Sequence, residues 1–154
     1  MTALLEAERV SFAYGARAVL SEVDLAVAPG ELVGVIGPNG GGKTTLVRLL
    51  SGVLAPRAGS VRFKGAALGA YRRRELARRL AVVPQDPTLE FPFTALEVVL
   101  MGRAPHLPAL GFPRAHDLAV ARAAMARLDV AGWRTGLSTG SRAASGSACC
   151  SRAQ

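Results

Sequence analysis

Between Glu31 and Gly52 the chain runs from an uncharged apolar segment, Leu32-Val33-Gly34-Val35-Ile36, directly into Gly37-Pro38-Asn39-Gly40-Gly41-Gly42-Lys43-Thr44-Thr45 and on into Leu46–Ser51. Few architectures accept that order. Residues 32–36 are apolar on both alternating sets, the pattern of a strand buried on both faces of a parallel sheet. Residues 37–44 fit G-x-x-x-x-G-K-[ST], and a helix is expected from Lys43 to Ser51, with Leu46, Leu49 and Leu50 on one side and Gly52 at its C-terminal cap. Glycines let the backbone curl with successive N–H groups turned inward and no Cβ in the way. The helix start adds unpaired N–H groups and the positive end of its dipole. Such a loop suits a triphosphate. Lys43 would face its β and γ phosphates, and the Thr44 hydroxyl would complete the coordination of Mg2+.

The remaining elements follow from local pattern. "LLEAERVSF", "SEVDLAV" and "VRF" alternate or carry β-branched residues, with Gly15, Pro29, Gly30, Pro56 and Gly59 as punctuation, and read as an antiparallel layer. A second helix is expected over Tyr71–Arg79, then a short buried strand "LAVVP" ending at Pro84. Thr94 with Glu97 three residues on has capping-box spacing for another helix start. Leu118, Ala121, Met125 and Leu128 make one apolar stripe of a helix over Asp117–Leu128, read as core packing.

The formal net charge of +8 calls for an anionic partner. Nucleic acid is not the expected one. Arg72, Arg73, Arg74, Arg78 and Arg79 cluster with only Tyr71 as an aromatic neighbour, whereas nucleic-acid grooves interleave basic and stacking side chains. "MTALLEAERV" lacks the pattern of a secretory signal, and the apolar runs fall short of a membrane span, so a cytoplasmic chain is expected. Cys149 and Cys150 are adjacent, which suits neither a disulfide framework nor a spaced metal site.

From Leu4 to Trp133 the chain resembles the ATP-binding subunit of ABC transporters. Beyond "GPNGGGKTT" the resemblance rests on "VSFAYG", on "VVPQD" and on their order around the loop. It implies a P-loop NTPase fold of the ABC ATPase type, here incomplete: an N-terminal antiparallel β layer, a partial parallel core sheet with helices, and the start of a helical subdomain. The family usually has Ala where Gly41 stands and Ser where Thr44 stands. Carried over by position, Gly37, Pro38, Asn39, Gly40, Gly41, Gly42, Lys43, Thr44 and Thr45 would hold ATP, Tyr14 would stack on adenine, and Gln85 would touch the metal or attacking water. The lesser alternative for Tyr14, on propensity alone, is a half-buried strand aromatic. "FPFTALEVVLMGRAPH" is similar to the branch serving iron-siderophore, cobalamin and haem import, most of all the haem importers. The resemblance implies membrane permease subunits as partners, a head-to-tail homodimer for the full-length family, and a place at the inner face of the cell membrane. His106 and His116 are not promoted to haem ligands, since substrate in this family passes through the permease.

Hydrolysis in the family also needs a signature resembling LSGGQ, a strand ending in Asp-Glu and a switch histidine. After Asp117 the only acid is Asp129, and "LSTGS" at 137–141 departs from the signature at Thr139. ATP hydrolysis by these residues alone is therefore not expected, and the alternative is a non-hydrolysing or inert nucleotide-binding fragment. Residues 1–133 read as the N-terminal part of the ATP-binding domain. Residues 134–154 hold one large aliphatic, Leu137, and no acid, and are expected to be disordered. One set of codons for Gly146–Arg152 reads "QRLLLAR" in the shifted frame, much like the helix after the family signature, which suggests a frameshift near 138–145; the gene sequence tests it. Without a neighbouring strand, 32–36 is expected to invite aggregation and lower stability.

Overall fold

The computed structural model describes residues 3–85, 93–108 and 111–130. They divide between two compact units, Met1–Ala81 and Val82–Gln154. The Ala and Ser-rich stretch 134–154 lies outside the described residues.

The first unit is built on a four-stranded antiparallel sheet of order β2-β1-β3-β4. Its strands are β1 (Leu5–Tyr14), β2 (Arg17–Val27), β3 (Ala58–Phe63) and β4 (Ala66–Ala67). The β1–β2 ladder steps out of register three times. Glu8 and Arg9 lie between the pairs Ala7↔Leu25 and Val10↔Val23, against Asp24 alone. Arg9 takes φ +43° and its N–H donates to Asp24 Oδ1 at 2.7 Å. Next, Ser21 and Glu22 face Ser11, with Glu22 at φ +48° and its N–H on Ser11 Oγ at 2.9 Å. Finally the register moves from Phe12↔Leu20 to Ala13↔Ala18 and leaves Val19 with no opposite residue. At each of the first two bulges a side-chain oxygen accepts the N–H that the ladder leaves unpaired.

Helix α1 (Lys43–Leu50) buries Leu46 and Leu49. Leu49 joins Ala7, Val10, Val61, Phe63 and Leu68 in the core. Burying a leucine of this kind contributes roughly 1.5–3 kcal/mol. The helix ends as its sequence predicts. Gly52 takes φ +73°, its N–H donates to Leu49 O at 3.1 Å, and Val53 N–H donates to Arg48 O at 2.9 Å, which satisfies the last carbonyls. The helix expected over Tyr71–Arg79 is shorter, α2 (Arg73–Ala77). Tyr71 packs edge-on against Phe63 and donates its hydroxyl to Phe63 O at 2.8 Å.

In the second unit, α3 (Ala95–Met101) starts at Thr94, whose Oγ1 accepts Glu97 N–H while the Glu97 carboxylate accepts Thr94 N–H at 2.7 Å. Helix α4 (Ala115–Arg127) packs on α3 and buries Ala121 and Met125 of the expected stripe.

Two expected strands do not form. Residues 32–36 and 80–84 carry no ladder, and the described residues hold no parallel pair. Leu32 and Ile36 are 90% and 98% exposed, and Val82 and Val83 are about half exposed. Both segments have the composition of a buried strand. A strand exists only where a neighbour accepts its backbone groups, and none of the described strands lies in that position.

Candidate functional site

The glycine loop leaves residue 36 and enters α1 through three conformations that set its shape. Gly40 and Gly42 take φ +81° and +83°, a region in which other residues are strained. Gly41, between them, donates its N–H to Pro38 O at 3.1 Å and closes a turn. Gly42 is the N-cap of α1, and its carbonyl accepts Leu46 N–H at 2.8 Å. The N–H groups of Lys43, Thr44 and Thr45 in the first turn therefore have no carbonyl within the helix to donate to. No acidic residue occupies that turn.

Lys43 is a misfit for the helix alone, since a cation at an N-terminus opposes the macrodipole. Its ammonium is instead folded back over the loop, donating to Gly37 O at 2.8 Å and Pro38 O at 2.7 Å. An ammonium has three donors, so a third remains available. Thr44 is exposed on the first turn, whereas Thr45 is buried at 7% exposure and offers its main chain. Three unpaired amides, one ammonium and one free hydroxyl, with no carboxylate among them, are a donor set for a polyphosphate and its cation. The residues present fit ATP and Mg2+.

The loop's back is tight. A Cβ at Gly42 would stand 2.8 Å from Leu20 Cδ2, the movable end of a side chain, and 3.1 Å from Val19 O, so the left-handed φ is what chiefly requires glycine and the close neighbours add to it. A Cβ at Gly41 would meet Pro38 O at 3.1 Å and the Pro38 ring carbons at 3.6 Å, and Gly41 does not take a left-handed φ, so a small adjustment admits a methyl group. That agrees with Ala as the usual family residue there.

Tyr14 ends β1 at the turn through Gly15 and is 46% exposed. Its ring meets Phe12 edge-on, with centroids 4.9 Å apart at 82°. Tyr14 and the loop belong to one unit; Gln85, exposed at a bend, belongs to the other. Among the described residues no group of three His, Cys, Asp or Glu side chains could hold a metal ion, and no helix is long and apolar enough to cross a membrane. His106 and His116 are exposed. Val19 and Leu20, which touch the loop, carry no motif that would reveal them in the sequence.

The sequence profile of the ABC transporter family matches residues 20–148. Over 116 residues the chain is 53% identical to the hemin import ATP-binding protein HmuV of Nocardia farcinica, covering 75% of this chain and 39% of that one. It is 51% identical over 102 residues to the protein of the same name from Rhodopseudomonas palustris strain HaA2, covering 66% and 39%. The chain thus spans about two fifths of the length of these relatives. Among solved structures, a metal-chelate type ABC transporter in an inward-facing conformation superposes with a TM-score of 0.68 at 27% identity, over 87% of this chain and 48% of that chain. A nucleotide-free ATP-binding cassette superposes with a TM-score of 0.73 at 22% identity, over 92% and 60%, a likeness of fold alone.

Proposed function

Because the chain belongs to the ABC transporter family, we propose that it carries the nucleotide-binding portion of the energy-coupling ATPase of an importer for haem or another iron chelate. The observation that carries this reading is the loop: Gly40 and Gly42 in left-handed conformations, Lys43 Nζ poised over the loop carbonyls, and a helix start with no acid in its first turn. The main-chain N–H groups of Lys43, Thr44 and Thr45 would meet the phosphates, and Lys43 would leave Gly37 O and Pro38 O for the β and γ oxygens. Thr44 Oγ1 would hold Mg2+, which offsets phosphate charge when bound. Tyr14 would take adenine on its open face, and Gln85 would read the metal or the attacking water. The import reading is supported by relatives named for hemin import and by a structural neighbour of metal-chelate type. Under this reading, permease subunits and a head-to-tail second copy are the partners, at the inner membrane face.

A second reading, confined to residues 1–154 by themselves, is nucleotide binding without hydrolysis: Asp129 is the only acid among them after Asp117. Equilibrium binding of a fluorescent ATP analogue tests the shared premise. Lys43→Ala removes a charge-assisted contact of roughly 1.5–3 kcal/mol, a loss of about tenfold or more in affinity. Unchanged binding in that variant rejects the loop as the site. Steady-state phosphate release then separates the two readings.

A further inference from the structure

The contact behind the glycine loop has an unusual origin. In a regular strand two consecutive side chains point to opposite faces, so Val19 and Leu20 could not both approach one atom. At this place the ladder steps from Phe12↔Leu20 to Ala13↔Ala18, and Val19 is the extra residue. A bulge bends the strand and re-aims its side chains. The result is that Val19 O, Val19 Cγ1 and Leu20 Cδ2 all converge within 3.3 Å of the point where a Cβ of Gly42 would lie. The same Leu20 stands across the ladder from Phe12, and the Phe12 ring carries the Tyr14 ring at 4.9 Å. Phe12 and Leu20 are both half-buried against the core that holds α1 through Leu49.

A continuous line of packed groups therefore runs from Gly42 through Leu20 and Phe12 to Tyr14. We infer that the Val19 bulge and Leu20 are positioning elements that set the distance and orientation between the phosphate loop and the Tyr14 ring, so that one nucleotide is held at both ends. The inference rests on the nucleotide-binding reading above and adds to it residues that touch neither phosphate nor base. The bulge closes off the space directly behind the cap of α1, where a small displacement alters the direction of the first-turn amides. Reaching Tyr14 through an aromatic edge contact, the same displacement moves the base platform. A ligand with phosphates only senses the first effect; a full nucleotide senses both.

Equilibrium titration calorimetry with Mg·ATP and with Mg·tripolyphosphate distinguishes the two effects. Wild type should prefer ATP, and Tyr14→Ala should lose that preference while keeping tripolyphosphate affinity. Leu20→Ala should weaken ATP by about tenfold, the order of one lost base-stacking contact, and reduce the preference toward that of Tyr14→Ala. Leu20→Met, a volume-conserving exchange, should restore it. If Leu20→Ala does not fold by circular dichroism, Val19→Ala carries the test, with a smaller change in the same direction. An unchanged ratio of ATP to tripolyphosphate affinity in the folded variant overturns the inference, even where both affinities fall. Wild type that binds neither ligand instead rejects the nucleotide reading itself.

Discussion

Arg103, just beyond α3, places Nε and Nη2 on the same oxygen of Asp117, Oδ1, at 3.2 and 3.1 Å. The other oxygen, Oδ2, accepts Arg114 N–H at 3.1 Å and caps α4. One carboxylate thus starts a helix and ties it to the preceding one. Its side chain is 11% exposed and that of Arg103 20%. Asp117→Asn should loosen the α3–α4 unit, because an amide retains one acceptor and turns a donor toward either Arg103 or Arg114 N–H. The loss should exceed that of Glu75→Gln, which breaks an exposed i,i+4 pair with Arg79 and should change stability by about 0.3–0.5 kcal/mol. Urea midpoints of the two variants, with hydrogen exchange at Arg114, check the order.

The same carboxylate gives the unit a pH dependence. The Arg114 main-chain hydrogen bond, and after it the Arg103 guanidinium, hold Asp117 below its ordinary value of 3.8 against an opposing cost of burial. The Thr94 main-chain and hydroxyl hydrogen bonds likewise hold Glu97 below 4.5. A carboxylate lowered in the folded state binds fewer protons there than when unfolded, so stability rises with pH through this range. The contribution is complete above the ordinary carboxylate values and is lost as pH falls through them to the lowered ones. Thermal melts between pH 3 and 6 should show a steeper fall for wild type than for Asp117→Asn.

What could be read in advance was local. The loop residues 37–44, the Thr94–Glu97 box and the Gly52 cap each depend on a few consecutive residues, and the chain carries them whole. Residues 32–36 and 80–84 announce a preference for burial, but pairing depends on a distant segment that no window contains. The bulges were invisible for a similar reason. Arg9, Glu22 and Val19 are extra residues only relative to a partner strand, and register is a property of two segments together.

Gly59 is the counterpart of the first bulge. It takes φ +80°, and a Cβ there would collide with the carbonyl oxygens of Glu8 and Arg9. Gly65 has nearly the same φ, +79°, yet a Cβ would meet nothing within 4 Å. Gly65→Ala should therefore cost only the left-handed penalty, about 1–2 kcal/mol. Gly59→Ala adds a backbone overlap that neither strand relieves without opening the β1–β3 ladder, and should cost on the order of 2–4 kcal/mol. Denaturant unfolding of both variants isolates the steric part, and equal losses would contradict the close approach.

The segment 32–36 combines large exposed aliphatic side chains with a backbone that pairs with no strand. Such a stretch, uncharged and without proline, is a template for pairing with any second strand. Val33 is 37% exposed, so a long charged side chain at position 33 has a path to solvent. Val33→Lys should reduce concentration-dependent association, seen by light scattering at fixed ionic strength, with a change in unfolding free energy within about 0.5 kcal/mol, as for other surface substitutions. If the segment were instead packed inside the folded chain, the lysine would be buried. The variant would then lose several times that stability and associate more, so the two measurements together decide which environment Val33 occupies.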